Sequence, residues 1–357
     1  MAASNVSDHT TPVGSESMSL EAAHDVSIKL REAITTLIFG QEELITETLA
    51  CLLAGGHILL TGAPGLAKTT LVRVFANVLG LQFGRVQFTP DLLPSDILGS
   101  EVLNIDPETS RRNFEFSRGP VFTNLLLADE INRASPRTQS ALLEAMQERS
   151  VTVAGKRHVL PQPFLVFATQ NPFESEGTFP LPEAQMDRFL MHSLVDYPSA
   201  DAEERMLTAH AARELIGEKV EWNVKEDRLP SGTLSQVMER VRQVRVDDAL
   251  ISVIKDLVRS SRPEDSLCPK HIKEALWYGA GPRAGISLIS ASRAFALMSN
   301  SEVVRWQHIK RMAKPVLRHR IRLAAHAMRD GMTEDQVVET LIDRVQAERG
   351  NQALGIS

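Results

Sequence analysis

Only two cysteines occur in the 357 residues, Cys51 and Cys268, and they lie far apart. Such a pair builds neither a disulfide framework nor a metal-ligand spacing, so both read as reduced, buried thiols. No apolar run approaches the roughly 20 residues that cross a bilayer; the longest candidates are cut by Gly55, Gly56 and His57. The first residues, beginning Met1-Ala-Ala-Ser-Asn, lack the basic and apolar regions of a signal peptide. A cytoplasmic protein without membrane insertion is expected. Positive charge is not in excess either. The net charge of −6 argues against a chain whose main task is to grip a nucleic-acid backbone. No internal repeat is visible.

With 43% hydrophobic and 24% charged residues, the chain has ordinary globular material and can bury a core. Residues 1–18 are rich in Ser, Thr and small residues and read as a disordered tail. From Leu20 two apolar helical patterns follow, separated at Phe39-Gly40-Gln41. Short apolar runs then recur at 57–61, 83–88, 124–129, 164–169 and 189–195, with helical patterns between several of them. This alternation predicts an α/β fold with a mainly parallel sheet covered on both faces. After Tyr197-Pro198 the strand signal stops, and residues 201–330 read as all-helical, with breaks near 229–232, 262–263 and 279–282. The expected division is a core domain over 19–200, a helical domain over 201–330 and a C-terminal helix and tail over 331–357. Thr333 with Gln336 three residues on forms a capping-box pattern for that last helix.

The most informative stretch is Gly62-Ala-Pro-Gly-Leu-Ala-Lys-Thr69, between an apolar run and a helical pattern. A strand feeding a Gly-rich turn at a helix start gathers backbone N–H groups and the helix dipole on phosphate. Gly62, Ala63, Pro64, Gly65, Leu66, Ala67, Lys68, Thr69 and Thr70 form this cofactor loop. Lys68 would neutralise the β- and γ-phosphates of ATP, and Thr69 would hold Mg²⁺. Ala67 stands where the strict motif has Gly. The run Asn124-Leu-Leu-Leu-Ala-Asp129-Glu130 ends a buried strand in two acids. Asp129 suits the metal and Glu130 suits the general base. Asn171, in Ala168-Thr-Gln-Asn-Pro172, would orient the attacking water or the γ-phosphate, or it simply turns the chain.

Together with Glu183-Ala-Gln-Met-Asp-Arg-Phe189, Gly281-Pro-Arg-Ala284 and Val316-Leu-Arg-His-Arg320, these motifs resemble the AAA+ ATPases, and more narrowly the MoxR family. Ala67 before the Lys is usual in MoxR-like proteins. The resemblance implies an AAA+ core followed by a smaller helical lid. It implies a homo-hexameric ring, chaperone-like remodelling or assembly of protein complexes, and often a partner with a von Willebrand A domain. Arg188 matches the arginine finger, which reaches the nucleotide of a neighbouring subunit. Arg283 matches the second sensor, acting on its own or a neighbour's nucleotide. Gly40 and Gln41 lie where relatives contact adenine, although a bare helix break accounts for them equally. The stretch 209–245 resembles an extra lid helix. Insertions at 91–120 and a hairpin at 150–160 would face a pore or client, or only brace the sheet. A nucleic-acid-dependent motor and a magnesium-chelatase-like subunit are the alternative functions.

Overall fold

The computed structural model describes residues 18–63, 65, 66, 68–105, 112–172, 177–211 and 228–354. The tail at 1–17 and most of the stretch at 209–228 therefore lie outside the described residues. Helices α1 (Leu20–Thr35) and α2 (Glu42–Leu53) come first. The Ser19 hydroxyl caps α1 by accepting from Ala22 N at 3.1 Å. There follow β1 (Ile58–Gly62), α3 (Lys68–Val78), β2 (Phe83–Gln87), α4 (Pro94–Leu98), and a hairpin of β3 (Gly99–Ile105) and β4 (Arg112–Arg118). Next are β5 (Leu125–Asp129), α5 (Pro136–Glu148), a second hairpin of β6 (Ser150–Val153) and β7 (Lys156–Val159), β8 (Leu165–Gln170), α6 (Glu183–Met186), β9 (Met191–Val195) and α7 (Ala200–Ala211).

All five apolar runs form strands of one parallel sheet, in the order β2-β5-β8-β1-β9. The three central strands are almost continuously apolar because both faces are covered. Leu60, Leu127 and Phe167 face a cluster with α2 and α3, while Leu59, Leu126 and Val166 face another with α5. That is the period-2 alternation of a strand, applied to two buried faces. Each such side chain contributes about 2 kcal/mol of burial.

The second region contains α8 (Thr233–Gln243), α9 (Asp248–Ser260), α10 (Lys270–Lys273), β10 (Leu276–Tyr278), α11 (Pro282–Met298), α12 (Trp306–Leu317), β11 (Arg322–Leu323), α13 (Ala325–Arg329) and α14 (Glu334–Leu354). The all-helical expectation needs correction here. β10 and β11 pair antiparallel, Leu276 opposite Leu323, inside the region expected to be helical. Both leucines are buried, and strands of two or three residues are too short to show periodicity. Residues 212–227 of the stretch at 209–245 lie outside the described residues; α7 (Ala200–Ala211) reaches its start and α8 (Thr233–Gln243) lies within it. The Thr333 capping box forms as expected, with Thr333 N donating to Gln336 Oε1 and Gln336 N to Thr333 Oγ1.

The helical region is seated firmly on the sheet domain. Its buried residues share one hydrophobic cluster with α1, α2 and α3. Polar ties add to this. Arg311 donates to Glu43 Oε1 at 2.8 Å, and Arg318 donates to the His192 carbonyl at 3.1 Å. Arg318 also forms a two-pronged pair with Asp335, at 2.8 Å on each arm.

Candidate nucleotide site

Gly62 ends β1 beside Val195 of β9, and a Cβ there would lie 2.4 Å from the Val195 carbonyl oxygen. Gly65 has φ +81, and nothing among the described residues lies within 4 Å of its missing Cβ. The loop is thus tight against the sheet at one glycine and open at the other. Pro64 and Ala67 lie outside the described residues. Ala63 is buried, and Leu66 packs partly on the main core. Lys68 opens α3, with Thr69 and Thr70 in its first turn. The N–H groups of such a turn have no partners within the helix and suit an anion.

Lys68 Nζ donates to the Gly62 carbonyl at 2.6 Å. Burial lowers its affinity for the proton, and Asp129 and Glu130 both act to raise it. The ammonium is therefore electrostatically coupled to both acids. Asp129, last in β5, accepts at Oδ1 from Thr169 Oγ1 at 2.6 Å. Its Oδ2 accepts from Arg85 on β2, at 2.8 Å and 3.3 Å. The Thr169 hydroxyl in turn accepts from Glu130 N at 2.8 Å, so one side chain holds both acids. Glu130 has φ +56, a left-handed conformation that costs a non-glycine residue on the order of 1 kcal/mol or more. Its Oε2 accepts from Gln87 Nε2 at 2.9 Å and from Arg133 at 3.0 Å.

Arg85, Gln87, Arg133 and Thr169 were not singled out from the sequence. The signal for three of them was present: they stand at or near the C-terminal ends of β2 and β8, where parallel sheets place their ligands. The register that pairs Gln87 with Asp129 brings them into reach.

Asn171 follows β8 directly and is buried. The Thr61–Gln170 pairing places it level with Gly62, the last residue of β1 and the first of the loop. Arg188 donates to the Leu143 carbonyl at 2.9 Å, and no hydrogen bond links it to the loop among the described residues. Arg283 is exposed in the first turn of α11, in the helical region. Gln41 Nε2 donates to the Asp196 carbonyl at 2.8 Å, and Gly40, with φ +67, packs against Pro198 and Ala202. The break between α1 and α2 therefore abuts the connection from β9 into α7. In sum, Lys68, Asp129 and Glu130 converge, Asn171 stands beside them, and Arg188 and Arg283 stand apart.

No cluster of three or more His, Cys, Asp or Glu able to hold a metal occurs among the described residues. The donors at hand are the Thr69 hydroxyl and the Asp129 carboxylate. Oxygen ligands, few in number, fit a hard cation that takes its remaining ligands from phosphate and water, as Mg²⁺ does. The half-exposed Arg85 holds Asp129 Oδ2, so a cation at this carboxylate would share it with the guanidinium or displace it.

A strand, phosphate loop and helix, paired acids on a neighbouring strand and a following helical region define a loop-type nucleoside triphosphatase with a lid. Comparison with known proteins agrees. Residues 57–191 match the ATPase family associated with various cellular activities (AAA), and residues 269–341 match the AAA lid domain. Chaperone MoxR1 of Mycobacterium tuberculosis is 38% identical over 94% of this chain and 85% of its own. Protein MoxR of Paracoccus denitrificans is 34% identical over 82% of this chain and 87% of its own. A crystal structure of an ATPase candidate from Cytophaga hutchinsonii superposes with TM-score 0.78 at 36% identity, covering 91% of this chain and 97% of that one. The chain belongs to the MoxR family of AAA+ ATPases. No helix among the described residues is long and apolar enough to cross a membrane.

Proposed function

We propose that this protein hydrolyses ATP to ADP and phosphate and uses the cycle for chaperone-like remodelling or assembly of protein complexes. The observation that carries the first half is the convergence of Lys68, Asp129 and Glu130 at the C-terminal edge of the parallel sheet. The chaperone name of a relative sharing most of the chain supports the second half.

In this reading the first-turn N–H groups of α3 and Lys68 bind the phosphates, with Gly65 leaving room for their approach. Thr69 and Asp129 would hold Mg²⁺, which would neutralise charge on the phosphate oxygens. Glu130 leaves Gln87 and Arg133 and takes the proton of the attacking water as its oxygen bonds to the γ-phosphorus and the bond to the β-phosphate oxygen breaks. Asn171 orients that water. Arg188 reaches the nucleotide of the next subunit, where a fixed positive fork stabilises the charge of the transferring group. Arg283 reports nucleotide state to the lid, and Gly40 and Gln41 border the adenine. A homo-hexameric ring, a von Willebrand A domain partner, protein clients and a cytoplasmic setting complete the proposal; these rest on the family resemblance.

The test is steady-state phosphate release together with capture of bound proteins in ATP. Glu130→Gln should slow turnover by orders of magnitude, hold ATP and retain a discrete set of partner proteins. Release of phosphate by that variant at the wild-type rate would defeat the assignment.

A further inference from the structure

Arg320 is among the most completely engaged polar side chains of the molecule, and no step above uses it. It sits between α12 and β11, in the lid, with 3% of its surface exposed. Its Nε donates to Asp187 Oδ1 at 2.6 Å. Its two terminal nitrogens donate to the carbonyls of Asp187 (3.2 Å), Phe189 (2.7 Å) and Leu190 (3.2 Å), and to that of Val316. A further bond, 3.1 Å long, reaches Ser287 Oγ on α11. His319, its neighbour, also donates to the Phe189 carbonyl, at 3.2 Å. All five N–H donors of a rigid, planar group are thus spent, chiefly on the backbone on either side of Arg188.

The other end of this contact faces the lid's exposed arginine. Ser287 lies one helical turn beyond Arg283 on the same face of α11. Burial foremost holds the Arg320 guanidinium below its ordinary value; Asp187 opposes this, and the nearby positive charge of Arg283 adds to it. Arg320 therefore touches the helix that carries Arg283 and the segment that carries Arg188, two residues far apart in sequence.

We infer that Arg320 is a positioning residue for Arg188: the lid grips residues 187–190 of the sheet domain and fixes the backbone from which Arg188 projects toward a neighbouring subunit. The inference rests on the reading of Arg188 as a group that serves the next subunit's nucleotide. Transferring-group stabilisation tolerates little misplacement, since an error of about 1 Å can cost a hundredfold in rate. A grip made by the lid has a second consequence. When the lid shifts on the sheet domain, the hold on residues 187–190 loosens or tightens, so the state of one site is felt at the next through Arg188.

The test uses mixed full-length subunits. A Lys68→Ala subunit cannot bind nucleotide but can donate Arg188; an Arg188→Ala subunit binds nucleotide but cannot donate. Their equimolar mixture should regain turnover. Asp187→Asn is then added to one partner at a time; it removes the charge that Arg320 grips with little change of shape. In the Lys68→Ala donor it should lower the regained turnover by about tenfold. In the Arg188→Ala acceptor it should leave the regained turnover and the nucleotide affinity as they were. A folding defect would act in both positions and cannot produce this asymmetry. Arg320→Lys in the donor should act in the same direction, because an ammonium cannot span three carbonyls in a fixed plane. Recovery that survives both substitutions in the donor, or an equal loss in donor and acceptor, overturns the positioning role. No recovery in the unmodified mixture overturns the reading of Arg188 itself, a separate result.

Discussion

Gln87 Nε2 donates to Glu130 Oε2 at 2.9 Å, so a side chain of β2 holds the carboxylate at the end of β5. The same oxygen accepts from Arg133. A carboxylate held by two donors is less free to take a proton from water. Gln87→Leu removes one neutral donor, worth about 1 kcal/mol or roughly a fivefold change in the freed population. Basal ATP turnover should rise by about that factor with nucleotide affinity unchanged. A fall in turnover would show that Gln87 places the carboxylate for catalysis instead.

Lys68 and Glu130 are expected to separate binding from chemistry. Lys68→Ala removes the positive charge that opens α3 and should abolish binding of a fluorescent ATP analogue. Glu130→Gln should bind that analogue normally while turnover falls by about 10²-fold to 10⁴-fold. Equal effects of the two substitutions on affinity would contradict their assignment.

Thr169 bridges Asp129 and Glu130 through one hydroxyl. Thr169→Val keeps the shape and leaves a carboxylate oxygen and a backbone N–H without that partner, at a cost of about 1–3 kcal/mol. The midpoint of thermal unfolding should drop by several degrees, and kcat should fall more than KM rises. A variant with unchanged melting and unchanged kcat would show the bridge to be idle.

Acid should weaken the fold through buried histidines. Val166 N donates to His57 Nδ1 at 3.1 Å, and Nε2 donates to the Met146 carbonyl at 3.3 Å, so the ring is neutral with its proton on Nε2. Burial lowers His57 from 6.5 to about 4, and burial lowers His192 to about 3. Below pH 6.5 the unfolded chain takes up protons that the folded chain refuses until about pH 4. The stabilisation is therefore complete above 6.5 and is lost as pH falls through that window, by about 1.4 kcal/mol per pH unit for each histidine. Denaturant titrations across the window should show this slope, and His57→Gln should make it shallower. A slope indifferent to His57→Gln would rule the group out.

What could be read from the residues follows from how local each signal is. The five core strands are short apolar runs bounded by breaks, and the phosphate loop and acid pair are contiguous motifs. All of these announce themselves within a dozen residues. Arg85, Gln87 and Thr169 do not, because their partners are set by strand register across the sheet. Arg320 and Asp187 meet across 133 residues of chain. The β10–β11 pair escaped because two or three residues carry no periodicity, and α11 and α12 separate its partners in sequence.

The first glycine of the phosphate loop answers to a neighbour as well as to a ligand. A methyl group at Gly62 would strike the Val195 carbonyl and the Val195 Cβ, at 2.4 Å and 2.8 Å. Replacing Gly62 to silence the enzyme would wedge the outermost strand away from the sheet. The result would be a damaged scaffold masquerading as a nucleotide-blind enzyme; at Gly65 a side chain would meet no neighbour among the described residues, and the cost would fall on its own backbone, whose φ of +81 disfavours any side chain.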